Sequence, residues 1–466
     1  MIRSQKSGVR IKRYQTRAKA DRTSSGTKMY LLYNVVLILG SMLALPFYLF
    51  KMITAGKYRR SVLQKLGFLP KKLTECLAGK SPIWLHAVSV GEVLSSISII
   101  RIIGDRYPNH KIILSTVTET GNYTANSRLT GVDSIIYFPL DYPWVVKRVI
   151  DAVNPRLFVI VDTDIWPNFL RELRKQQIPS IIINGRVSPR SYRGHRWFKW
   201  FFKAVLECLS FFSMQSKVDS DRIIRSGADA TRVVTTGNLK FDQTVPDLTE
   251  AEKERLLDSM GLKPDQRVFI AGSTHKGEED IVLDVFEALK GEYPDLVLIL
   301  APRNPERFRE VENLVLQRSL NCERKTRVKA SSDSAATEVI ILDTIGELCK
   351  IYSIGLLVFV GGSLVKIGGH NLLEPAAYKK AVIFGPYMHN FLEISGVLKD
   401  SGGGIQVRNR DEFLFQARRL LGDPSLLHQL GEAAYSVIEK NQGATLRNME
   451  IIDRFIRPRD IGSPRL

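Results

Sequence analysis

Four places in this chain set chemically useful side chains at the ends of apolar runs. Glu92 follows the run 83–87 within HAVSVGE. A carboxylate where a buried strand passes into a helix sits where α/β proteins place their sites. There it can take the proton from a hydroxyl, its pKa tuned by partial burial, or serve only as a helix-capping glutamate. Asp162 and Asp164 follow the run 157–161 as Asp-x-Asp, a pair suited to holding a divalent metal against a sugar-nucleotide diphosphate. Arg303, after Pro302 at the end of 296–300, can clamp a phosphate bidentately, as a lysine cannot. The fourth place is 359–377, FVGGSLVKIGGHNLLEPAA, where Gly361-Gly362 and Gly368-Gly369 let backbone approach a ligand before a helix begins. The N–H groups and dipole of that helix start suit a phosphate, and Glu374 can accept from ribose hydroxyls. The alternative is a tight structural turn with Glu374 as an N-terminal helix carboxylate.

The elements that would carry these residues repeat one pattern. In the first half, apolar runs at 83–87, 111–116, 157–161, 181–184, 211–215 and 233–237 each end in a polar loop. The helix after the first run presents Val93, Ile97, Ile100 and Ile103 as its apolar face. Residues 243–254 are polar with one proline and read as a linker. A new series follows at 268–271, 296–300, 339–342, 355–360 and 382–385, the third leading into the turn Ile345-Gly346-Glu347. Strand, polar loop and helix repeated in both halves predict two Rossmann-like α/β domains facing a cleft, the GT-B architecture, over 51–242 and 255–466. No GxGxxG fingerprint occurs in the expected place, which argues against a dinucleotide redox cofactor.

Composition adds a partner. The net charge of +19 calls for an anionic one: a phosphorylated lipid, a membrane surface or nucleic acid. Residues 1–28 carry nine Lys or Arg against Asp21 alone and are expected to be disordered. Residues 29–50 hold no charge over 22 positions, enough to span a core of roughly 30 Å, and no signal-peptidase pattern follows. They are expected to form an uncleaved anchor. Cations and aromatics interleave from Tyr192 through Arg193, Arg196, Trp197, Lys199 and Trp200 to Lys203. Such a run suits a membrane interface or a phosphorylated headgroup, and no recognisable nucleic-acid module accompanies it. The four cysteines have no metal-ligand spacing and point to a reducing compartment.

Several of these stretches, HAVSVGE, Trp166-Pro167-Asn168, Gly237-Asn238-Leu239-Lys240-Phe241-Asp242 and GGSLVKIGGHNLLEPAA, resemble the motifs of bacterial 3-deoxy-D-manno-octulosonic acid (Kdo) transferases. The resemblance covers nearly the whole chain from Met29, near which members of that family begin. It implies transfer of Kdo from CMP-Kdo to a lipid A precursor at the cytoplasmic side of the bacterial inner membrane, without a metal. It implies Glu92 as catalytic base, and Asp162, standing for the family's first Glu of Glu-x-Glu, with Lys240 as stabilisers of transition-state charge. Pro302, Arg303, Ile345, Gly346, Glu347, Asn371, Leu372, Leu373 and Glu374 would contact the cytidine monophosphate portion of the donor. Leu372 stands where the family usually has Pro. Two other readings stay open on the residues: a sugar-nucleotide 2-epimerase or hydrolase on a similar scaffold, and a non-catalytic membrane- or RNA-binding protein.

Overall fold

A computed structural model describes residues 24–54, 59–77, 79–243, 245–328 and 337–456. Most of the basic tail expected at 1–28 therefore lies outside the described residues. The chain forms two compact units, Met1–Leu239 with Gly443–Leu466, and Lys240–Gln442.

The first unit is built on a fully parallel sheet of seven strands: β1 (Ile83–His86), β2 (Ile112–Thr116), β3 (Ser134–Tyr137), β4 (Leu157–Val161), β5 (Ser180–Gly185), β6 (Phe211–Met214) and β7 (Val233–Thr235). Their order across the sheet is β3-β2-β1-β4-β5-β6-β7. The central strands are buried on both faces because helices cover both, so they read as mainly apolar runs without alternation, IWLH in β1 and LFVIV in β4. The winding reverses between β1 and β4, which pair in register from Ile83↔Leu157 to His86↔Ile160. The carboxyl ends of two such strands splay apart and leave a crevice, the usual ligand position in doubly wound sheets.

The second unit repeats the plan with β8 (Arg267–Thr274), β9 (Leu296–Pro302), β10 (Cys322–Arg324), β11 (Val339–Ile341), β12 (Leu357–Val360), β13 (Val382–Phe384) and β14 (Gly404–Gln406). The order is β10-β11-β9-β8-β12-β13-β14, all parallel, so the reversal falls between β8 and β12.

Two features differ from the sequence expectation. The last helix, Ala444–Ile456, belongs with the first unit although it follows the second in sequence. Its Met449, Ile451 and Ile452 join the core around Val93 and Ile100. Asp453 there accepts from Arg106 and from the Tyr107 hydroxyl, each at 2.6 Å, and Asn448 accepts from Ser213 at 2.7 Å. In the helix Val90–Arg106 it is Ile99, with Val93, Ile100 and Ile103, that is fully buried, while Ile97 stays half-exposed.

Among the described residues one helix is long and apolar enough to cross a membrane, the Met29–Pro46 portion of Ser24–Thr54. Its first turns dock on the first unit. Met29 and Tyr30 are buried, the Tyr33 hydroxyl donates to Asp141 at 2.9 Å, and Asn34 accepts from Asn168 at 2.6 Å. Leu39, Met42, Leu43 and Leu45 beyond them are exposed. The Trp166-Pro167-Asn168 stretch gains a structural role here. Pro167 starts a helix, where its missing N–H costs nothing, and the Asn168 and Phe169 amides both donate to the Asp141 carboxylate.

Candidate active site

In the first unit, the reversal between β1 and β4 collects three carboxylates. Glu92 stands in the first turn of Val90–Arg106, just after β1. One of its oxygens accepts from the Val88 N–H at 2.6 Å and the other from the Ser89 hydroxyl at 2.7 Å. Those bonds tie Glu92 to the turn between strand and helix but do not make a capping box, since the amide it accepts from is that of Val88, one residue before the N-cap Ser89. Its titration is what sets it apart. Burial pushes its pKa up to about 7, Asp164 and Asp162 add to that, and the two hydrogen bonds pull against it. A carboxylate with this pKa is half-ionised at neutral pH, the range in which a general base works best.

Asp162 and Asp164 follow β4. Asp162 holds φ at 72°, a conformation costly for a side chain other than glycine, and its amide donates to the Ile183 carbonyl at 3.0 Å. The turn aims its carboxylate at Arg186, 3.9 Å away. Burial, with Asp162 adding, raises the Asp164 pKa to about 6. Among the described residues no group of three potential metal ligands occurs.

Lys240 lies in the short 3-10 turn Leu239–Asp242, its ammonium 4.4 Å from the centre of the Phe391 ring. The turn is held from behind. The Leu239 amide donates to the Asn184 side chain at 2.9 Å, and Gln215 joins Asn184 to Asn238.

In the second unit, the loops after β8 and β12 flank the other reversal. The glycine-rich loop is closed by a residue the sequence did not single out. Glu278, fully buried, accepts from the amides of Gly362 (2.7 Å), Ser363 (2.9 Å), Leu364 (2.8 Å) and His275 (3.0 Å). The Gly368 and Gly369 amides donate to the Gly362 carbonyl. These amides are thus satisfied within the chain, and any phosphate contact falls to the helix start beyond them. The glycines allow close packing instead: a Cβ at Gly361 would lie 2.7 Å from the Ser273 carbonyl oxygen.

What faces outward is a cluster. His275 and His370 stack at 3° with their Nε2 atoms 2.8 Å apart, so a single proton between them serves both rings. Burial lowers both pKa values, that of His370 to about 4, and the positive charge of Arg303 adds to the effect on each. Arg303, exposed immediately after β9, also acts on Glu374, whose pKa burial raises. Asn371 bridges to Glu374 at 3.2 Å and accepts from the Leu373 amide at 3.2 Å. Five side chains, Arg303, His275, His370, Asn371 and Glu374, therefore form one neighbourhood. The two histidines sit beside motifs that were legible, in STHK after β8 and GGHN after β12. Their pairing depends on a strand contact that one sequence does not show.

The other donor-side residues divide. Leu372 and Leu373 are core side chains, so any ligand contact there falls to backbone. Pro302 is buried as the last residue of β9. Ile345 is 77% exposed, Gly346 has φ of 90°, and Glu347 pairs with Lys325 at 2.6 Å.

Two doubly wound parallel units, one with carboxylates after the strands at its reversal and the other with an arginine and two histidines there, have the GT-B architecture. A glycosyltransferase from Rickettsia africae shares the fold, with a TM-score of 0.54 at 13% identity over 81% of this chain and 99% of that one. Residues 60–243 match the family described as 3-deoxy-D-manno-octulosonic-acid transferase (kdotransferase). A 3-deoxy-D-manno-octulosonic acid transferase of Haemophilus influenzae is 33% identical over 429 residues, 91% of this chain and 98% of that protein. A bifunctional glycosyltransferase/methyltransferase of Fusobacterium nucleatum is 35% identical over 372 residues, 78% of this chain, which spans 57% of that longer protein. The chain belongs to the Kdo transferase family.

Proposed function

We propose that the protein moves Kdo from CMP-Kdo to a hydroxyl of a phosphorylated lipid A precursor, at the cytoplasmic face of a bacterial inner membrane. Glu92 takes the proton from the acceptor hydroxyl as its oxygen attacks the anomeric carbon. The bond from that carbon to the phosphate oxygen breaks on the opposite side, so configuration inverts and CMP departs. Arg303 offsets the charge growing on the leaving phosphate, with Asn371 and Glu374 holding the nucleotide and the backbones of Ile345–Glu347 and Leu372–Leu373 lining its base and ribose. Lys240 and Asp162 complement charge as the glycosidic bond breaks.

The single observation that carries this reading is Glu92 itself, a carboxylate with pKa about 7 at the sheet reversal of the first unit. Incubation with CMP-Kdo and a tetraacylated, bisphosphorylated lipid A precursor, followed by mass spectrometry of the lipid, tests it. The expected product carries one or more added Kdo residues and is absent with Glu92→Gln. Turnover of a sugar nucleotide with no lipid product would overturn the assignment.

A further inference from the structure

A second concavity, of about 550 Å³, opens between the helices Pro189–Trp197 and Lys217–Ser226 of the first unit. None of Glu92, Asp162 and Asp164 lines it, so the transfer chemistry leaves it unexplained. Arg193 and Arg196 of one helix meet Arg222 and Arg225 of the other there, with Asp221 as the one acid. Asp221 in turn pairs with Lys217 at 2.9 Å. Three arginines of the second unit do meet carboxylates at close range: Arg307 with Glu279, Arg318 with Asp284, Arg324 with Glu312. Among the described residues none of the four cavity arginines makes such a pair. Four arginines and one carboxylate around one concavity leave it with excess positive charge, which attracts an anion, and planar guanidinium forks match the oxygens of a phosphate.

The surroundings say where that phosphate comes from. Arg196 is followed at once by Trp197, 84% exposed, and then by the exposed Phe198 and Trp200. Phe201, one residue on, packs at 5.8 Å against Tyr33 of the apolar Ser24–Thr54 helix. Exposed aromatics next to unpaired cations, continuous with an apolar helix, are the composition of a membrane-interface surface. We propose that the four-arginine concavity binds the phosphate ester of an anionic phospholipid headgroup of the bulk membrane. The proposal rests on the reading that the chain works at a membrane.

The test uses the full chain, a variant Arg193→Gln/Arg196→Gln/Arg225→Gln, and a charge-matched control Lys263→Gln/Arg309→Gln/Lys440→Gln. Arg222 is spared because its guanidinium donates to the Val187 carbonyl at 2.8 Å. Flotation with phosphatidylcholine vesicles, with and without phosphatidylglycerol, gives a preference ratio that the anchor alone does not set. The cavity variant is expected to lose roughly tenfold or more of that preference, and the control much less. Short-chain phosphatidylglycerol titrated into the detergent-solubilised wild type should bind where short-chain phosphatidylcholine and inorganic phosphate do not. Equal losses in cavity variant and control overturn the proposal, as does inorganic phosphate binding as tightly as the lipid. A raised KM for the glycolipid acceptor with phospholipid preference intact would hand the cavity to the substrate and also overturn it. Wild type that binds every vesicle without preference sinks this proposal alone. Wild type that binds no vesicle sinks the membrane reading with it.

Discussion

At the scale of single residues, the protonation of Glu92 governs what can be measured. Its carboxylate is protonated below a pKa of about 7, and in the proposed mechanism only the anion can accept the acceptor's proton. We therefore expect kcat/KM to climb about tenfold per pH unit up to about 7 and then level. Glu92→Gln should lower turnover by roughly 10²–10⁴-fold without loss of fold. The same pKa predicts a trade-off. A folded-state pKa raised from 4.5 means that folding becomes costlier as pH rises from 4.5 through 7 and the anion must stay buried. The melting temperature of Glu92→Gln should therefore gain on that of wild type as pH rises through 7. His370 works in the other direction. Its folded pKa lies near 4 against 6.5 unfolded, so the unfolded chain binds the proton more tightly and stability falls as pH drops from 6.5 through 4. Urea unfolding of wild type and His370→Asn should show wild type losing more stability over that interval, by at most about 3 kcal/mol.

At the scale of elements, the loop after β12 makes the sharpest prediction. Two oxygens of Glu278 satisfy four amides, and glutamine keeps only one acceptor oxygen. Its amide group would face the N–H groups of either Gly362 and His275 or Ser363 and Leu364, leaving two donors unmet in a buried site. Glu278→Gln should cost about 2–5 kcal/mol by chemical denaturation and weaken CMP binding, because His370 and Asn371 follow on the same loop. A Gln variant as stable as wild type would show that those bonds are not what shapes the loop. Nothing in the sequence announces this partnership, since Glu278 lies 84 residues from Gly362 and looks like one more acid in a polar helix start. The central strands were legible for the opposite reason: covered on both faces, β1, β4, β8, β9 and β12 keep apolar runs that no turn pattern imitates. The strands the sequence missed, β3, β10 and β14, all lie at sheet edges, where half-exposed positions carry mixed residues such as Cys322-Glu323-Arg324. Glu92, Asp162 and Arg303 stood out in the sequence because a polar residue just after an apolar run is a local pattern, whereas Asn371 was singled out by the family resemblance alone. The His275–His370 pair was not, because 95 residues separate the rings. The return of Ala444–Ile456 to the first unit escaped for a similar reason, an amphipathic helix giving no sign of which core it fills.

At the scale of the whole molecule, charge and anchor belong together. On the membrane reading proposed above, a chain of net charge +19 with an exposed apolar helix would be held to an anionic surface by two forces, one electrostatic and salt-sensitive, the other hydrophobic and indifferent to salt. Removing residues 1–50 takes away the apolar helix and, with the nine cations and Asp21 of residues 1–28, +8 of the charge, leaving a weaker electrostatic attraction alone. The first unit should tolerate the cut: Asp141 loses the Tyr33 hydroxyl but keeps the amides of Asn168 at 3.0 Å and Phe169 at 2.8 Å, so the loss is about 1–3 kcal/mol. CMP binding, which the proposal assigns to residues of the second unit, should be unchanged. Acceptor dispersed in detergent should react at close to the full-length rate, because Glu92 and its neighbours do not touch the removed helix. Acceptor embedded in vesicles is different, since confinement to the surface supplies the effective concentration that a soluble enzyme lacks. There the truncated protein should fall roughly tenfold or more behind, and added salt should widen the gap by weakening the electrostatic contact that remains. Equal rates for both proteins on vesicles at high salt would mean that the helix serves the fold and not the location.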